Sequence, residues 1–233
     1  MPKPKGVYRI FALGESTTVG YPYFYNASFP TFLLQRLQAI FPNQKFEVIN
    51  LGMTATTSYA APDILSELNK YQPDLIIYYG GHNEFYGALG IASNQFGVLS
   101  RVAALIYLKL IHFSTFQLLR NEAQAVAKWF TPEERMHGHE TEMEHVARGK
   151  LVPYGGTEYR EAYSIFRANL QAMRRYCRAE RIPLIIGTQV SNLVDLPPFV
   201  SKHSQNLSHQ KLEQFQEVFD AGKERHHLPW DII

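Results

Sequence analysis

The sequence has few of the features that would mark an unusual way of folding or binding. It contains one cysteine, Cys177, so an intrachain disulfide is excluded, and no neighbouring thiol or obvious activating partner marks this cysteine as reactive. Its 23 basic and 21 acidic residues nearly cancel, leaving a net charge of +2. The basic residues are dispersed and form no stripe, which argues against a nucleic-acid partner.

Long uninterrupted apolar runs are also missing. The residues before the first predicted strand contain no apolar stretch of signal-peptide length, and the compartment is left open. Residues 98–119 approach transmembrane length, but Arg101, Lys109 and His112 interrupt them. We expect this segment to be an amphipathic helix that packs on the domain, on a helical-repeat partner or on a membrane surface.

What the sequence does contain is a regular alternation of short apolar runs and helical patterns. Four runs are rich in β-branched or aromatic residues and are bounded by turn residues, which predicts buried parallel strands over 7–13, 46–51, 74–80 and 183–190. Apolar residues at helical spacing separate these runs. Together the patterns predict an α/β protein with three α/β/α layers and a flavodoxin-like, doubly wound parallel sheet.

This alternation is interrupted once. Residues from about 90 to 155 predict a mostly helical insertion, and the stretch 131–149 within it is strongly charged. At 233 residues the chain, 1–233, is predicted to form a single domain that includes this insertion. Its last residues, "LPWDII", read like the beginning of another element, so we expect the domain to be incomplete at its C-terminal end.

Three polar corners follow the first three predicted strands. The first strand ends at Gly14-Glu15-Ser16, the second at residues 50–54 and the third at residues 80–84. The carboxyl ends of parallel strands lie at one edge of a sheet, where open α/β proteins bind their ligands. The three corners are therefore expected to converge.

The residues at these corners are of the types that acyl transfer requires. Ser16 offers a hydroxyl and its own backbone N–H, Gly52 a backbone N–H that no side chain shields, and Asn83 a side-chain amide. Each of them alone is also typical of a turn or a helix cap, and their order at successive strand ends is what favours catalysis. The first turn lacks both the lysine of an NTPase phosphate loop and the dinucleotide-binding glycine pattern.

At these same corners the sequence resembles the SGNH, or GDSL-like, hydrolase superfamily. "FALGEST", "INLGMTATTS" and "YYGGHNEFYG" are similar to its first three blocks, and "VSNLVDLPPFVS" is similar to a later segment of a bacterial subgroup often joined to tetratricopeptide-type repeats. The resemblance implies a serine ester hydrolase that needs no cofactor. In it, Ser16 would form the acyl-enzyme, and Gly52 and Asn83 would join the Ser16 N–H in the oxyanion hole.

The sequence departs from this superfamily at the catalytic base. The expected Asp-x-x-His block does not occur, and two Glu-x-x-His pairs, at 134–137 and 142–145, lie before the fourth strand, in the wrong order. His226 and His227 lack an aspartate three residues earlier. We therefore expect the histidine to lie outside this chain, which would bind an ester but hydrolyse it poorly.

Three further residues are candidates for the substrate pocket. His82 is expected to form a wall of the pocket more readily than to act as the base. Glu15 and Glu84 replace the usual aspartates and are expected to orient the loops by accepting hydrogen bonds from backbone N–H groups. No metal is expected, because the histidines between residues 137 and 145 match no standard zinc spacing.

Two other functions remain open at this point. The same fold without its base could serve as a binding or scaffold module beside helical repeats. The same chemistry directed to a sugar hydroxyl would make the protein an O-acyltransferase. For the hydrolase, acylated carbohydrates, lipids and other small esters are all candidate substrates.

Overall fold

The structure is a computed structural model that describes residues 2–93, 100–128, 151–191, 203 and 207–226. The chain divides into two compact units, Met1–Gln189 and Val190–Ile233. The first unit holds the sheet and all of the candidate site residues. The described part of the second unit contains one long helix, His209–His226. The predicted "DLPPF" segment and the charged stretch 131–149 lie outside the described residues.

The sheet has four parallel strands in the order β2-β1-β3-β4. They are β1 (Val7–Gly14), β2 (Lys45–Gly52), β3 (Leu75–Tyr79) and β4 (Leu184–Ile186). Gly14 lies opposite Gly52 on one side and Tyr79 on the other, so β1, β2 and β3 end level with one another. The four predicted strands and their parallel, doubly wound order are confirmed, with β4 shorter than predicted.

The described residues contain seven α-helices, six in the first unit and one in the second. They are α1 (Ser16–Val19), α2 (Phe29–Ile40), α3 (Ala60–Leu68), α4 (Arg101–Leu110), α5 (Ser114–Lys128), α6 (Thr157–Ala179) and, in the second unit, α7 (His209–His226). Ser28 occupies the N-cap position of α2, and its hydroxyl bonds the Thr31 hydroxyl at 2.9 Å in place of a backbone amide. Short 3₁₀ turns at Phe24–Ala27 and Asn69–Tyr71 complete the connections.

Alternating side chains of the strands separate the two faces of the sheet. Phe11, Leu13 and Tyr78 lie in one buried core with Leu65 of α3 and Met173 of α6. The opposite face is covered by α2, whose Phe29 ring packs edge-to-face on Tyr79 with centroids 6.0 Å apart. Because Tyr78 and Tyr79 are neighbours in one strand, their rings point to opposite faces. This arrangement confirms the predicted α/β/α layering.

The helices α4 and α5 lie within the predicted insertion. No single helix of the described chain is long and apolar enough to cross a membrane. The two helical segments Arg101–Leu110 and Ser114–Ala123 are bent by 111° relative to each other. Together they have the length and the apolar composition of a membrane-spanning segment. Several large apolar side chains of α4 are exposed, among them Val102 and Ile106.

Candidate active site

Ser16 lies where β1 turns into α1. The turn is tight because β1 and β3 approach closely there: a Cβ atom at Gly14 would lie 2.0 Å from the Tyr79 carbonyl oxygen. Ser16 is the first residue of α1 and is half-buried. Its carbonyl oxygen accepts hydrogen bonds from the Gly20 and Tyr21 amides at 3.0 Å, which closes the turn. The serine is therefore held at the carboxyl edge of the sheet on a short, well-bonded element.

Glu15 connects the Ser16 corner to the corner after β3. Its side chain is 1% exposed, and its carboxylate accepts the Gly81 N–H at 2.7 Å and the Asn83 N–H at 3.0 Å. Burial raises the pKa of Glu15 from 4.5 to about 7, and the nearby Glu84 adds to the increase, while the backbone N–H donors oppose it. The carboxylate thus fixes the position of Asn83 relative to Ser16.

The side-chain amide of Asn83 is a candidate hydrogen-bond donor to a bound ligand. The residue is 6% exposed, and its side-chain nitrogen Nδ2 is buried without a hydrogen-bond partner in the described part of the protein. A buried polar group without a partner typically costs about 1–3 kcal/mol, so such groups are rare and often functional. Its backbone is held at both ends, because its carbonyl accepts the Gly87 N–H at 2.7 Å.

Gly52 lies next to α1, but its backbone N–H is already engaged. That N–H donates to Asn50 Oδ1 at 2.9 Å, and Asn50 Nδ2 donates in turn to the Thr18 carbonyl at 2.8 Å. A Cβ atom at Gly52 would lie 2.7 Å from the Val19 nitrogen. The missing side chain therefore leaves room for the serine-bearing helix. Donation by Gly52 to an oxyanion remains a prediction and would require the Asn50 bond to break.

Ala55 offers a second backbone donor near this corner, one that the sequence did not indicate. Its φ of +57° is uncommon for a residue with a side chain, and such strain clusters at functional sites. Ala55 is exposed, and among the described residues none accepts a hydrogen bond from its N–H. No glycine marks the position, so residue type gave no signal for it.

Glu84 lies at the centre of a buried polar network. Its carboxylate accepts the backbone N–H of Ser58 at 2.7 Å and the Ser58 hydroxyl at 2.9 Å. Asn169 of α6 donates to Ser58 Oγ at 3.0 Å and accepts from the Arg101 guanidinium at 3.1 and 3.2 Å. Burial raises the pKa of Glu84 from 4.5 to about 7, although the Ser58 bonds oppose the shift. This network fixes the β3 corner to α6 and α4.

His82 lies at the surface of the same corner. The residue is exposed, and its ring contacts Tyr79 edge-to-face with centroids 5.6 Å apart. In the described residues, no imidazole or carboxylate hydrogen-bonds to the Ser16 hydroxyl. The two Glu-x-x-His pairs lie outside those residues, as does His227, and no described group of three or more His, Cys, Asp or Glu residues could hold a metal ion.

Comparison with known proteins gives similarity at the level of structure alone. No protein-family model matches the chain, and no curated protein matches it. Solved structures of SGNH-type esterases are similar to it. AlinE4, an SGNH-hydrolase family esterase, is 16% identical, with 96% of this chain and 98% of that chain covered and a TM-score of 0.36.

Two more solved structures show similarity of the same extent. A lipase/acylhydrolase from Enterococcus faecalis is 17% identical, with 76% of this chain and 74% of that chain covered and a TM-score of 0.33. A catalytic mutant of Axe2, an acetylxylan esterase from Geobacillus stearothermophilus, is 13% identical, with 76% and 74% covered and a TM-score of 0.33. At such identities and TM-scores, the roles of individual residues depend on the contacts within this chain.

Proposed function

We propose that the protein is a serine ester hydrolase whose nucleophile is Ser16. The observation that carries this proposal is the connection between Ser16 and Asn83. Glu15, the residue before the half-buried serine, accepts the backbone N–H of Asn83, whose side-chain Nδ2 is buried and has no partner among the described residues. A preorganised donor of this kind stabilises the negative charge that develops on an ester oxygen during attack.

The reaction would proceed in two steps through an acyl-enzyme. Ser16 Oγ forms a bond to the acyl carbon and gives its proton to a base, the ester C–O bond breaks, and the alcohol leaves with a proton. Asn83 Nδ2, the Ser16 N–H and one backbone N–H of the loop after β2, at Gly52 or Ala55, would hold the oxyanion. Water then attacks the acyl-enzyme, releasing the carboxylic acid and restoring the serine.

The base is the part of the mechanism that the described residues do not supply. The assignment of Ser16 as the nucleophile can be tested although the base is missing. Imidazole, a small soluble base that could take the serine proton, would be added to the protein. Labelling by a fluorophosphonate probe and hydrolysis of p-nitrophenyl acetate would be measured with and without imidazole. After subtraction of the hydrolysis that imidazole catalyses without protein, we expect both to occur in the unchanged chain, to increase with imidazole, and to disappear in Ser16→Ala.

A matched control separates this outcome from general damage. Ser66→Ala removes a serine whose hydroxyl bonds the Asp63 carbonyl at 2.7 Å on the exposed side of α3. We expect that variant to keep labelling and hydrolysis. Labelling that persists in Ser16→Ala would refute the assignment of the nucleophile. A folded chain that neither labels nor hydrolyses with imidazole would favour the alternative, a binding or scaffold module of the same fold.

Two further experiments extend the proposal, one to acyl transfer and one to contact of α4 with a membrane or another domain. Acyl transfer to an added sugar at the expense of hydrolysis would identify an O-acyltransferase.

The exposed apolar residues of α4 within residues 98–119 also favour contact with a membrane surface or a helical-repeat domain. Sedimentation of the chain with anionic lipid vesicles would test the membrane contact, with Val102→Glu expected to reduce it.

A further inference from the structure

A mostly apolar cleft of about 190 Å³ lies beside the candidate active site. Its walls come from the loop after β2, from α3, from the loop after β3 and from α4. They include Met53, Thr56, Ile64, Ala88, Leu89 and Leu108. Concave apolar sites of this kind are where proteins bind small molecules.

The cleft begins next to the residues that hold Ser16. The Met53 N–H donates to the Gly14 carbonyl oxygen at 3.0 Å, two residues before the serine, and the Met53 side chain lines the cleft. Thr56 and Thr57 line the cleft on one side and a smaller hollow that contains Gly14 and Glu15 on the other. The cleft therefore shares the loop after β2 with the corner that holds Ser16.

The two loops that form the cleft are fastened to each other. The Ala88 N–H donates to the Ala55 carbonyl at 2.8 Å, and the Thr57 hydroxyl donates to the Ala88 carbonyl at 2.8 Å. Leu89 has a φ of +65°, a conformation that a leucine rarely adopts. The strain is tolerated where a leucine side chain forms part of the cleft wall, which indicates a preformed cleft.

The far wall is the helix α4, and contacts at both of its ends fix it. Arg101 in its first turn donates to Asn169 Oδ1 of α6, and His112 just after its end contacts Asp63 of α3 at 3.2 Å. Leu108 faces the cleft from this helix, whereas Ile106 is 54% exposed. The helix of the insertion thus closes the cleft at a defined distance from the loops.

We propose that this cleft binds the acyl chain of the ester and that Leu108 limits the length of that chain. The proposal rests on the proposed function, since it assigns the acyl part of the substrate to the same site. An apolar cavity of about 150 Å³ can hold a benzene-sized molecule, so this cleft holds roughly six to eight carbon atoms. The preferred substrates are straight-chain esters of about that length.

The test is a chain-length profile measured with p-nitrophenyl esters from acetate to decanoate, with imidazole present and the hydrolysis that imidazole catalyses without protein subtracted. Each buried methylene group is expected to raise kcat/KM about fourfold until the cleft is full. Leu108→Trp should shorten the preferred chain by two carbons or more, and Leu108→Ala should lengthen it. Ile106→Trp, the matched control on the exposed side of α4, should keep the profile of the unchanged chain.

A binding measurement tests the acyl-chain cleft independently of ester cleavage. In Ser16→Ala, calorimetry should detect binding of octanoate, and adding Leu108→Trp should weaken that binding at least tenfold. Esters that are cleaved with the same profile in Leu108→Trp and Ile106→Trp would overturn the cleft and leave the hydrolase in place. Octanoate binding that depends on Leu108, without cleavage of any ester, would uphold the cleft and overturn the hydrolase. Absence of both would overturn both.

Discussion

The backbone N–H of Asn83 donates a hydrogen bond to Glu15 Oε2 at 3.0 Å. The bond joins residues 68 positions apart in the sequence and places the corner after β3 against the corner after β1. It also explains how a carboxylate can be buried beside a candidate nucleophile with no positively charged partner among the described residues, since backbone donors stabilise its charge. The geometry of the candidate site therefore depends on a residue that need not touch the substrate.

Replacing Glu15 with Gln should damage both stability and activity. The neutral amide keeps one acceptor, but its NH₂ group faces a backbone donor that the second carboxylate oxygen accepted. We expect the free energy of unfolding to fall by about 1–3 kcal/mol in urea titrations, with a loss of ester hydrolysis. Glu67→Gln, at an exposed carboxylate near Lys70, is the control and should change neither quantity measurably.

Asn83→Ala should reduce activity without reducing stability. Its Nδ2 has no partner in the described structure, so removing it breaks no hydrogen bond, whereas loss of an oxyanion donor typically lowers kcat by about 10²–10³. We expect the free energy of unfolding to change by less than about 1 kcal/mol.

The matched control for Asn83→Ala is Asn169→Ala, because Asn169 is also a buried asparagine but is fully bonded. That change removes the Asn169 acceptor of the Arg101 guanidinium and one of the two hydrogen bonds of the Ser58 hydroxyl, and it should cost about 2–4 kcal/mol. If Asn83→Ala were destabilising to the same extent, its side chain would have a structural role instead of the proposed one.

The stability of the protein should decrease as the pH rises from about 4.5 to 7. Glu15 and Glu84 have pKa values raised from 4.5 to about 7 by burial, so in this window the folded state holds protons that the unfolded state has lost. Each carboxyl contributes stability that is complete below pH 4.5 and lost as the pH passes its folded pKa, on the order of 3 kcal/mol. Denaturant titrations at several pH values measure this slope.

Glu84→Gln removes the contribution of the Glu84 carboxyl to that slope, together with the part of the Glu15 shift that the Glu84 charge causes. The variant cannot ionise, so the difference between its stability and that of the unchanged chain should vary with pH only between about 4.5 and 7. A difference that stays constant across that range would show that the pKa of Glu84 is not raised.

Gly52→Ala should displace the nucleophile. The added methyl group would lie 2.7 Å from the Val19 backbone nitrogen, so α1 must move away from β2. We expect a loss of about 1–3 kcal/mol in stability and a lower rate of labelling at Ser16. Gly222→Ala is the control: it lies in α7 with no atom within 4 Å of the added methyl, and it should be neutral or slightly stabilising. Equal effects of the two changes would contradict the packing described for Gly52.

The sheet was predictable from the sequence because each buried strand is a short apolar run with its own turn residues. Level strand ends then followed from parallel pairing, which made Ser16, Gly52 and Asn83 candidates for one edge. Whether each candidate oxyanion donor is free to donate could not be predicted from the sequence. Whether the Gly52 N–H is free depends on the side chain of Asn50, and whether Asn83 Nδ2 is free depends on which residues surround it in three dimensions.

Other parts of the site had no signal in the sequence at all. Ala55 adopts a conformation that glycine favours, so a search by residue type passes over it. Asn169 and Arg101 lie in helical patterns typical of exposed faces, and only the packing of α4 and α6 brings them to Ser58. The length of a helix can be read locally, whereas the partner of a polar side chain 111 residues away cannot.

The path of hydrogen bonds from Arg101 through Asn169 and Ser58 to Glu84 has a consequence for attempts to trim the protein. Deleting α4 would remove the Arg101 guanidinium from Asn169. The remaining series of hydrogen-bonded polar side chains would then end inside the core. The disturbance would reach the residue next to Asn83. A shortened version of this enzyme candidate would therefore need an apolar replacement at position 169 before its loops could be redesigned.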